Sequence, residues 1–227
     1  MAAKGERGVG ITIRERQQTI APEVVAGFRD IGVGDIGHIA QWGFMDTAIR
    51  PVWRDIRLVG TAVTVWMPDE GAAVTRRAIQ LAEPGDVLVV DRGGDTEIAC
   101  WGGFVTMLAR EKGLAGLVID GAVTDTMEIS DLRWPVYSRS VSGLLTRNGG
   151  QNGEINVTVN CGGVPVSPGD LIVADDDGIV VIRPHEAAEL LAAVQQRFGG
   201  RPNIRQWVRD GKPIRDYPGV ADFFEPR

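Results

Sequence analysis

Histidine and cysteine are scarce in this chain of 227 residues: His38 and His185, Cys100 and Cys161. Two cysteines make no disulfide framework, and two histidines make no histidine-rich metal site. Any chemistry therefore falls to carboxylates, arginine, backbone amides or a metal. Aromatic residues are only 6% of the chain, which leaves the core to Val, Ile, Leu and Ala. Long apolar runs are missing as well. Stretches such as Val87–Val90 and Leu117–Ile119 are far too short to cross a bilayer, so no membrane partner is expected. There is no excess of positive charge: 24 basic against 30 acidic side chains leave −6, and the pI is near 5.0. That argues against nucleic acid as a partner, which calls for a basic surface. The first twenty residues carry Lys4, Glu6, Arg7, Arg14, Glu15 and Arg16 and lack the apolar block of a secretory signal. A cytoplasmic protein is the expectation. With 44% hydrophobic and 24% charged residues, neither disorder nor a coiled coil fits.

Glycine, by contrast, is abundant at 30 residues, roughly twice the usual share. It marks tight turns and places of close backbone approach. Residues 1–21 read as a polar arm, with Arg14–Gln18 compatible with a helix. Pro22–Arg29 reads as a short helix opened by proline, and Val33–His38 as a glycine-rich loop. Arg57–Met67 reads as a strand, Asp69–Leu81 as a helix, and Val87–Val90 as a buried strand ending at Asp91-Arg92-Gly93-Gly94-Asp95. A helix over Phe104–Lys112 is closed by Gly113. It leads to the buried strand Leu117–Ile119, the loop from Asp120, a short helix Asp125–Leu132 and the strand Pro135–Ser140. Strand, glycine loop, helix and strand make a parallel crossover unit. From Glu154 to Ile182 four strands follow: Ile155–Val159, Val164–Val166, Leu171–Asp175 and Ile179–Ile182. A helix over His185–Phe198 ends one α/β domain spanning 22–200. Residues 201–227 form a tail with Trp207, Tyr217, Phe223 and Phe224, expected to pack either on a neighbouring subunit or on its own domain.

In a parallel sheet, ligands bind where loops leave the carboxyl ends of the strands. Two such loops carry functional groups: Asp91–Asp95 with Gly102-Gly103, and Asp120–Asp125 with Glu128. Gly102-Gly103 before a helix exposes the amides of Gly103, Phe104 and Val105, a natural carboxylate or phosphate site. Equally, the glycines serve a tight turn. Asp125 and Glu128, three apart, project from one helical face. They suit Mg²⁺ or Mn²⁺, or Asp125 and Thr124 serve as helix caps. Asp175-Asp176-Asp177-Gly178 reads as a polar turn rather than a metal site. Nothing matches a P-loop or a dinucleotide fingerprint.

The stretches PGDVLVVDRGGD, GLAGLVIDGAVTDTMEI and GEINVTVNCGGVPVSPGDLIVADDDGIVVI resemble the RraA-like family over roughly residues 30–195. That family holds metal-dependent aldolases acting on 4-hydroxy-4-methyl-2-oxoglutarate and 4-carboxy-4-hydroxy-2-oxoadipate, and the regulator of ribonuclease activity A. The resemblance implies an α/β fold, a swivelling-type β/β/α sandwich with a central mixed sheet, assembled as a homotrimer or a dimer of trimers. It further implies a divalent-metal-dependent lyase, of aldolase or decarboxylase type, that cleaves a 2-oxo acid or related hydroxy acid through a metal-stabilised enolate. The alternative is a non-catalytic regulator that binds a ribonuclease or another protein.

Carried onto this sequence, Asp125 becomes a catalytic residue and a metal ligand together with Glu128. Gly102, Gly103, Phe104, Val105 and Thr124 line the substrate site. Two positions depart from the family pattern: Gly103 replaces an acidic residue, and Thr124 replaces an arginine that steadies the enolate oxygen. A threonine hydroxyl does not supply that positive fork. Arg92, on the same rim, is the candidate to supply it; otherwise it is a surface arginine paired with Asp91 or Asp95.

Overall fold

The computed structural model describes residues 10–16, 20–69, 71–145, 150, 152–202 and 204–220. Four parallel strands form the centre: β3 (Leu58–Trp66), β4 (Asp86–Trp101), β5 (Gly116–Val123) and β6 (Val136–Val141). Their Val, Ile, Leu and Ala runs are buried on both faces, the pattern of strands covered by two layers. The helices α3 (Ala73–Leu81), α4 (Gly103–Glu111) and α5 (Thr126–Asp131) connect them. Strand β10 (Leu171–Ala174), in a hairpin with β11 (Ile179–Ile182), runs antiparallel to the first half of β3. Strand β7 (Gly153–Ile155) runs antiparallel to the last two residues of β3. At the edges, β1 (Ile11–Ile13) lies parallel to β7 and β2 (Arg50–Pro51) antiparallel to β6. The result is a mixed sheet of nine strands.

Alternation along each strand divides the apolar residues between two cores. One face buries Val63, Val65, Leu88, Val90, Leu117 and Ile119 under α3, α4 and α5. The other buries Val87, Val89, Val118 and Ile172 beneath Met45, Ile49 and a two-stranded hairpin, β8 (Val159–Cys161) with β9 (Val164–Val166). Helices α1 (Pro22–Gly27), α2 (Val33–Gly37) and α6 (Pro184–Phe198) close a third cluster over β10 and β11. Helices on one face and a small β layer on the other make the β/β/α sandwich with a central mixed sheet that the family resemblance implied. Among the described residues no helix is long and apolar enough to cross a membrane.

Several local expectations change. Val33–Gly37 is helical rather than a loop, because the Asp175 carboxylate accepts the Val33 N–H at 2.8 Å while Val33 and Ile36 are buried. That cap comes from 142 residues away and has no local signal. Arg14 continues the edge of β1, donating its N–H to Ile155 O at 3.0 Å, so the helix expected at Arg14–Gln18 does not begin there; Gln17 and Gln18 lie outside the described residues. The strand expected at Val87–Val90 runs on to Trp101 as part of β4, through register shifts against β5. The strand expected over Ile155–Val159 divides at Asn156, whose φ of 59° is left-handed. Helix α3 starts at Ala73, later than Asp69. In the tail, α7 (Ile204–Arg209) folds against Tyr217: the Trp207 and Tyr217 rings meet edge-on at 5.6 Å, and the Tyr217 hydroxyl donates to Pro202 O at 2.6 Å. Phe223 and Phe224 lie outside the described residues.

Candidate active site

Trp101, the last residue of β4, joins the sheet to the first turn of α4. Its indole N–H donates to Thr106 Oγ1 at 2.8 Å, and the Thr106 hydroxyl donates to Gly102 O at 2.9 Å. The ring stacks on Trp134 at 6.1 Å and is 2% exposed. Strand end and helix start therefore move as one unit. Next to it, β5 ends at Val123, and the Thr124 N–H donates to Trp101 O at 2.9 Å. The two carboxyl-end loops are thereby fixed side by side.

Asp125 then turns the chain into α5 with a left-handed backbone, φ 55° and ψ 40°. Its Oδ2 accepts the Gly103 N–H at 2.9 Å, and the Thr124 hydroxyl lies 3.3 Å from Oδ1. Asp125 does not cap its own helix through its side chain; it crosses to the start of α4. The glycine pair makes this approach possible. A Cβ on Gly102 would overlap Asp125 Oδ2 and come within 2.9 Å of Thr124 Cγ2. A Cβ on Gly103 would overlap Glu128 Oε2 and sit 3.0 Å from Glu128 Cβ and Cδ. The glycines serve neither a tight turn alone nor an anion site alone: they let two carboxylates lie against the helix start. Beyond Gly103, the amides of Phe104 and Val105 make no hydrogen bond among the described residues.

The site thus brings together Gly102, Gly103, Phe104, Val105, Thr124, Asp125 and Glu128. Arg92 is held elsewhere. Its guanidinium donates to Asp69 O at 2.6 Å, to Met67 O at 3.3 Å and to Asp95 Oδ2 at 2.6 Å, with the side chain 5% exposed. It makes no bond to Asp125 or Glu128. The pairing with Asp95 is the sequence alternative that the geometry realises, and the reason is that strand β4 turns the side chain toward the corner after β3. The other strand-end acids are also committed. Asp91 and Asp120 are register partners on β4 and β5, and they accept the N–H groups of Asn160 and Gly162 at 3.1 and 2.7 Å, tying down the β8–β9 hairpin. Asp120 is further paired with Arg139, which also reaches Asp46 at 3.0 Å. Sequence reasoning placed Asp91 and Asp120 at the cleft and missed Arg139; a lone arginine in a strand gives no signal. The two thiols are inert structural groups. Burial pushes the Cys100 thiol up to about 11 and raises Cys161 further from ionisation.

Around the carboxylates the rim is apolar and exposed. Phe104 is 65% and Met127 81% exposed, with Val141 at the end of β6 and Leu144 and Leu145 on the segment that follows it also open. The sequence reading singled out Phe104 for its amide only and the others not at all, because isolated exposed apolar residues carry no distinguishing pattern.

Residues 34–181 match the RraA-like family, described as Aldolase/RraA. The chain belongs to that family. A Halalkalibacterium halodurans protein, provisionally named 4-hydroxy-4-methyl-2-oxoglutarate aldolase, is 36% identical over 153 residues, covering 67% of this chain and 72% of its own. The structure of the RNA-processing inhibitor RraA from Thermus thermophilus aligns at TM-score 0.57 and 30% identity, over 62% of this chain and 84% of that one. An uncharacterized protein from Pseudomonas syringae aligns more broadly, at TM-score 0.73 and 24% identity, over 87% and 97%, which speaks for the fold. The RraA-like relatives thus include proteins named as aldolases and one named as an inhibitor of RNA processing.

Proposed function

We propose that this RraA-like protein is a divalent-metal-dependent carbon–carbon lyase acting on a 2-oxo acid or related hydroxy acid. One observation carries the reading: Asp125 and Glu128 lean on the same glycine pair, have no arginine or lysine partner among the described residues, and border two unbonded amides. Two exposed carboxylates beside one glycine pair, neither paired with a cationic side chain, are open to a cation. The donors are hard oxygens, and no third acidic, histidine or cysteine side chain converges with them among the described residues. Two carboxylates completed by water suit Mg²⁺ or Mn²⁺.

Asp125 and Glu128 would hold the ion, and Thr124 would orient Asp125 through its hydroxyl. When bound, the ion supplies Lewis-acid polarisation of the substrate carbonyl. The amides of Phe104 and Val105, at the positive end of α4, bind the substrate carboxylate and fix its orientation. Gly102 and Gly103 leave room for both. The bond that breaks is C3–C4. The 4-hydroxyl proton passes to a water held by Glu128 while that oxygen becomes the carbonyl of the departing product (in oxaloacetate, C4 leaves as carbon dioxide). The electron pair stays on C3 as the enolate of pyruvate, and a water held by Glu128 protonates C3. Arg92 acts from behind, fixing the corner after β3 rather than touching substrate. The exposed rim of Phe104, Met127 and Leu144 fits coverage by neighbouring copies in a homotrimer or dimer of trimers, and the tail from residue 201 adds to that contact.

The test is turnover of 4-hydroxy-4-methyl-2-oxoglutarate and oxaloacetate with Mg²⁺ or Mn²⁺, alongside thermal melting with Mn²⁺ plus oxalate. Metal-dependent release of pyruvate, abolished in Asp125→Asn and Glu128→Gln, is the expected result. A ligand that binds only the folded state raises the melting midpoint. No turnover and no shift at high ligand would overturn the lyase reading. They would favour a regulator of the kind named for the Thermus thermophilus structure.

A further inference from the structure

At the opposite end of the central strands from Asp125, a cavity of about 570 Å³ opens where β3, β4 and β5 begin. Eight residues of β5 separate the two ends, about 25 Å at the rise of a strand. Val25, Val59 and Ala115 give the cavity apolar walls. Its size is that of a metabolite site.

Three of the four polar side chains that line it, Arg29, Arg57 and Thr61, are donors. Arg57 is anchored by a hydrogen bond from Nη1 to Arg29 O at 3.0 Å, and neither Arg57 nor Arg29 has a carboxylate partner among the described residues. Two exposed guanidinium groups at one cavity give it local positive charge in a chain of net charge −6. Thr61, 4% exposed, also lines it, and its hydroxyl makes no hydrogen bond among the described residues. The hydroxyl is not one of the fully buried unpartnered polar atoms, so it opens to the cavity and is free to meet a ligand there. The one carboxylate on the wall, Asp86, is already spent. Arg16 engages both of its oxygens, and the Glu83 N–H donates to Oδ2 at 2.7 Å. What remains available is positive and hydrogen-donating.

We propose that this cavity is a second ligand site, for a small organic oxyanion whose carboxylate or phosphate meets Arg29, Arg57 and Thr61 while its carbon body lies on Val25 and Val59. Guanidinium groups match the oxygens of either anion in a forked geometry. The site needs no metal, which separates it from the rim site at Asp125.

The experiment is calorimetric titration of the full chain in EDTA with succinate, citrate, glycerol 3-phosphate and inorganic phosphate. The carboxylate and phosphate arms identify which anion is preferred, and inorganic phosphate alone shows whether the carbon body contributes. Arg57→Gln and Arg29→Gln change exposed side chains, and Thr61→Val keeps the shape of the buried one. Each is expected to weaken the preferred probe about tenfold, the effect of losing one hydrogen bond to a charged group. Asp125→Asn is expected to leave that binding unchanged. Binding that survives in the Arg29→Gln/Arg57→Gln double variant overturns the assignment. So does binding lost in Asp125→Asn, or no binding by any probe. Failure of the lyase assay would not touch this result, since the titration contains no divalent ion.

Discussion

The Glu128 carboxylate occupies the space in which a side chain at position 103 would begin: a Cβ on Gly103 would overlap Glu128 Oε2. Glycine at 103 and glutamate at 128 are therefore one arrangement, not two independent residues. The same glycine gives its N–H to Asp125 at 2.9 Å.

Gly103→Ala should for this reason separate activity from stability. The clash falls chiefly on the end of an exposed, flexible side chain, so the melting midpoint is expected to move by no more than about 3 °C. Turnover and Mn²⁺ affinity should fall at least tenfold as Glu128 is displaced. Equal loss in both measurements would show that residue 103 matters for folding rather than for placing the carboxylate.

Gly43→Ala should do the reverse. Gly43 has φ 79°, and a Cβ there would overlap the Val181 carbonyl oxygen, part of the rigid backbone of β11. A loss of about 2–4 kcal/mol is expected from strain and the displaced strand. Denaturant unfolding would measure it, with substrate affinity unchanged in whatever protein remains folded.

Arg92→Ala is expected to lower stability by about 2–3 kcal/mol, because three bonds at the corner after β3 are lost from a side chain that is 5% exposed. Arg92→Lys should not restore it, since an ammonium does not span Met67 O, Asp69 O and Asp95 together. If Arg92→Ala removes turnover while the unfolding curve stays put, the arginine acts on substrate after all.

Asp95 makes the same corner sensitive to pH. Burial works against its ionisation, yet the Glu97 and Ile98 amides and the Arg92 guanidinium outweigh it and hold the carboxyl below its usual 3.8. A folded value below the unfolded one contributes stability above the ordinary carboxylate range, and that stability is lost as pH falls through the lowered value. Asp95→Asn keeps the turn and removes the charge. Its melting midpoint should lie a few degrees under wild type at neutral pH, the gap closing below 3.8.

Tyr137 offers a contrasting case. It is fully buried on β6, and its hydroxyl has no partner among the described residues. Burial pushes the phenol far above its ordinary range, and the charges of Asp175 and Asp176 add to the effect. Tyr137→Phe should cost less than about 1 kcal/mol or stabilise, as no protein hydrogen bond is broken. A loss above about 2 kcal/mol in denaturant unfolding would mean that an ordered water satisfies the hydroxyl.

Much of the fold was legible because its strands are uninterrupted runs of Val, Ile and Leu and its helices are bounded by Gly and Pro. Gly113, expected to close α4 in the left-handed region, does so at φ 86°. Helix α2 was not legible, since the carboxylate that caps it belongs to Asp175. The grouping of Gly102-Gly103 with Asp125 and Glu128 followed from adjacent parallel strands. What the glycines do there did not, because close approach between segments has no local pattern. Arg92 shows the remaining limit. Sequence placed it on the rim, but only the path of β4 decides which way a rim side chain turns, and here it turns to Asp95.

Position 125 has to satisfy two demands at once. Its backbone angles, φ 55° and ψ 40°, are ones that asparagine, aspartate and glycine adopt with least penalty. Its side chain must also be short enough to meet the Gly103 amide. A change to glutamate keeps the negative charge but sacrifices the turn, and glycine keeps the turn but gives up the carboxylate. Asparagine alone preserves both the chain path and a side-chain oxygen for the Gly103 amide while removing the charge, which makes it the informative replacement and leaves this corner of the protein little room to drift.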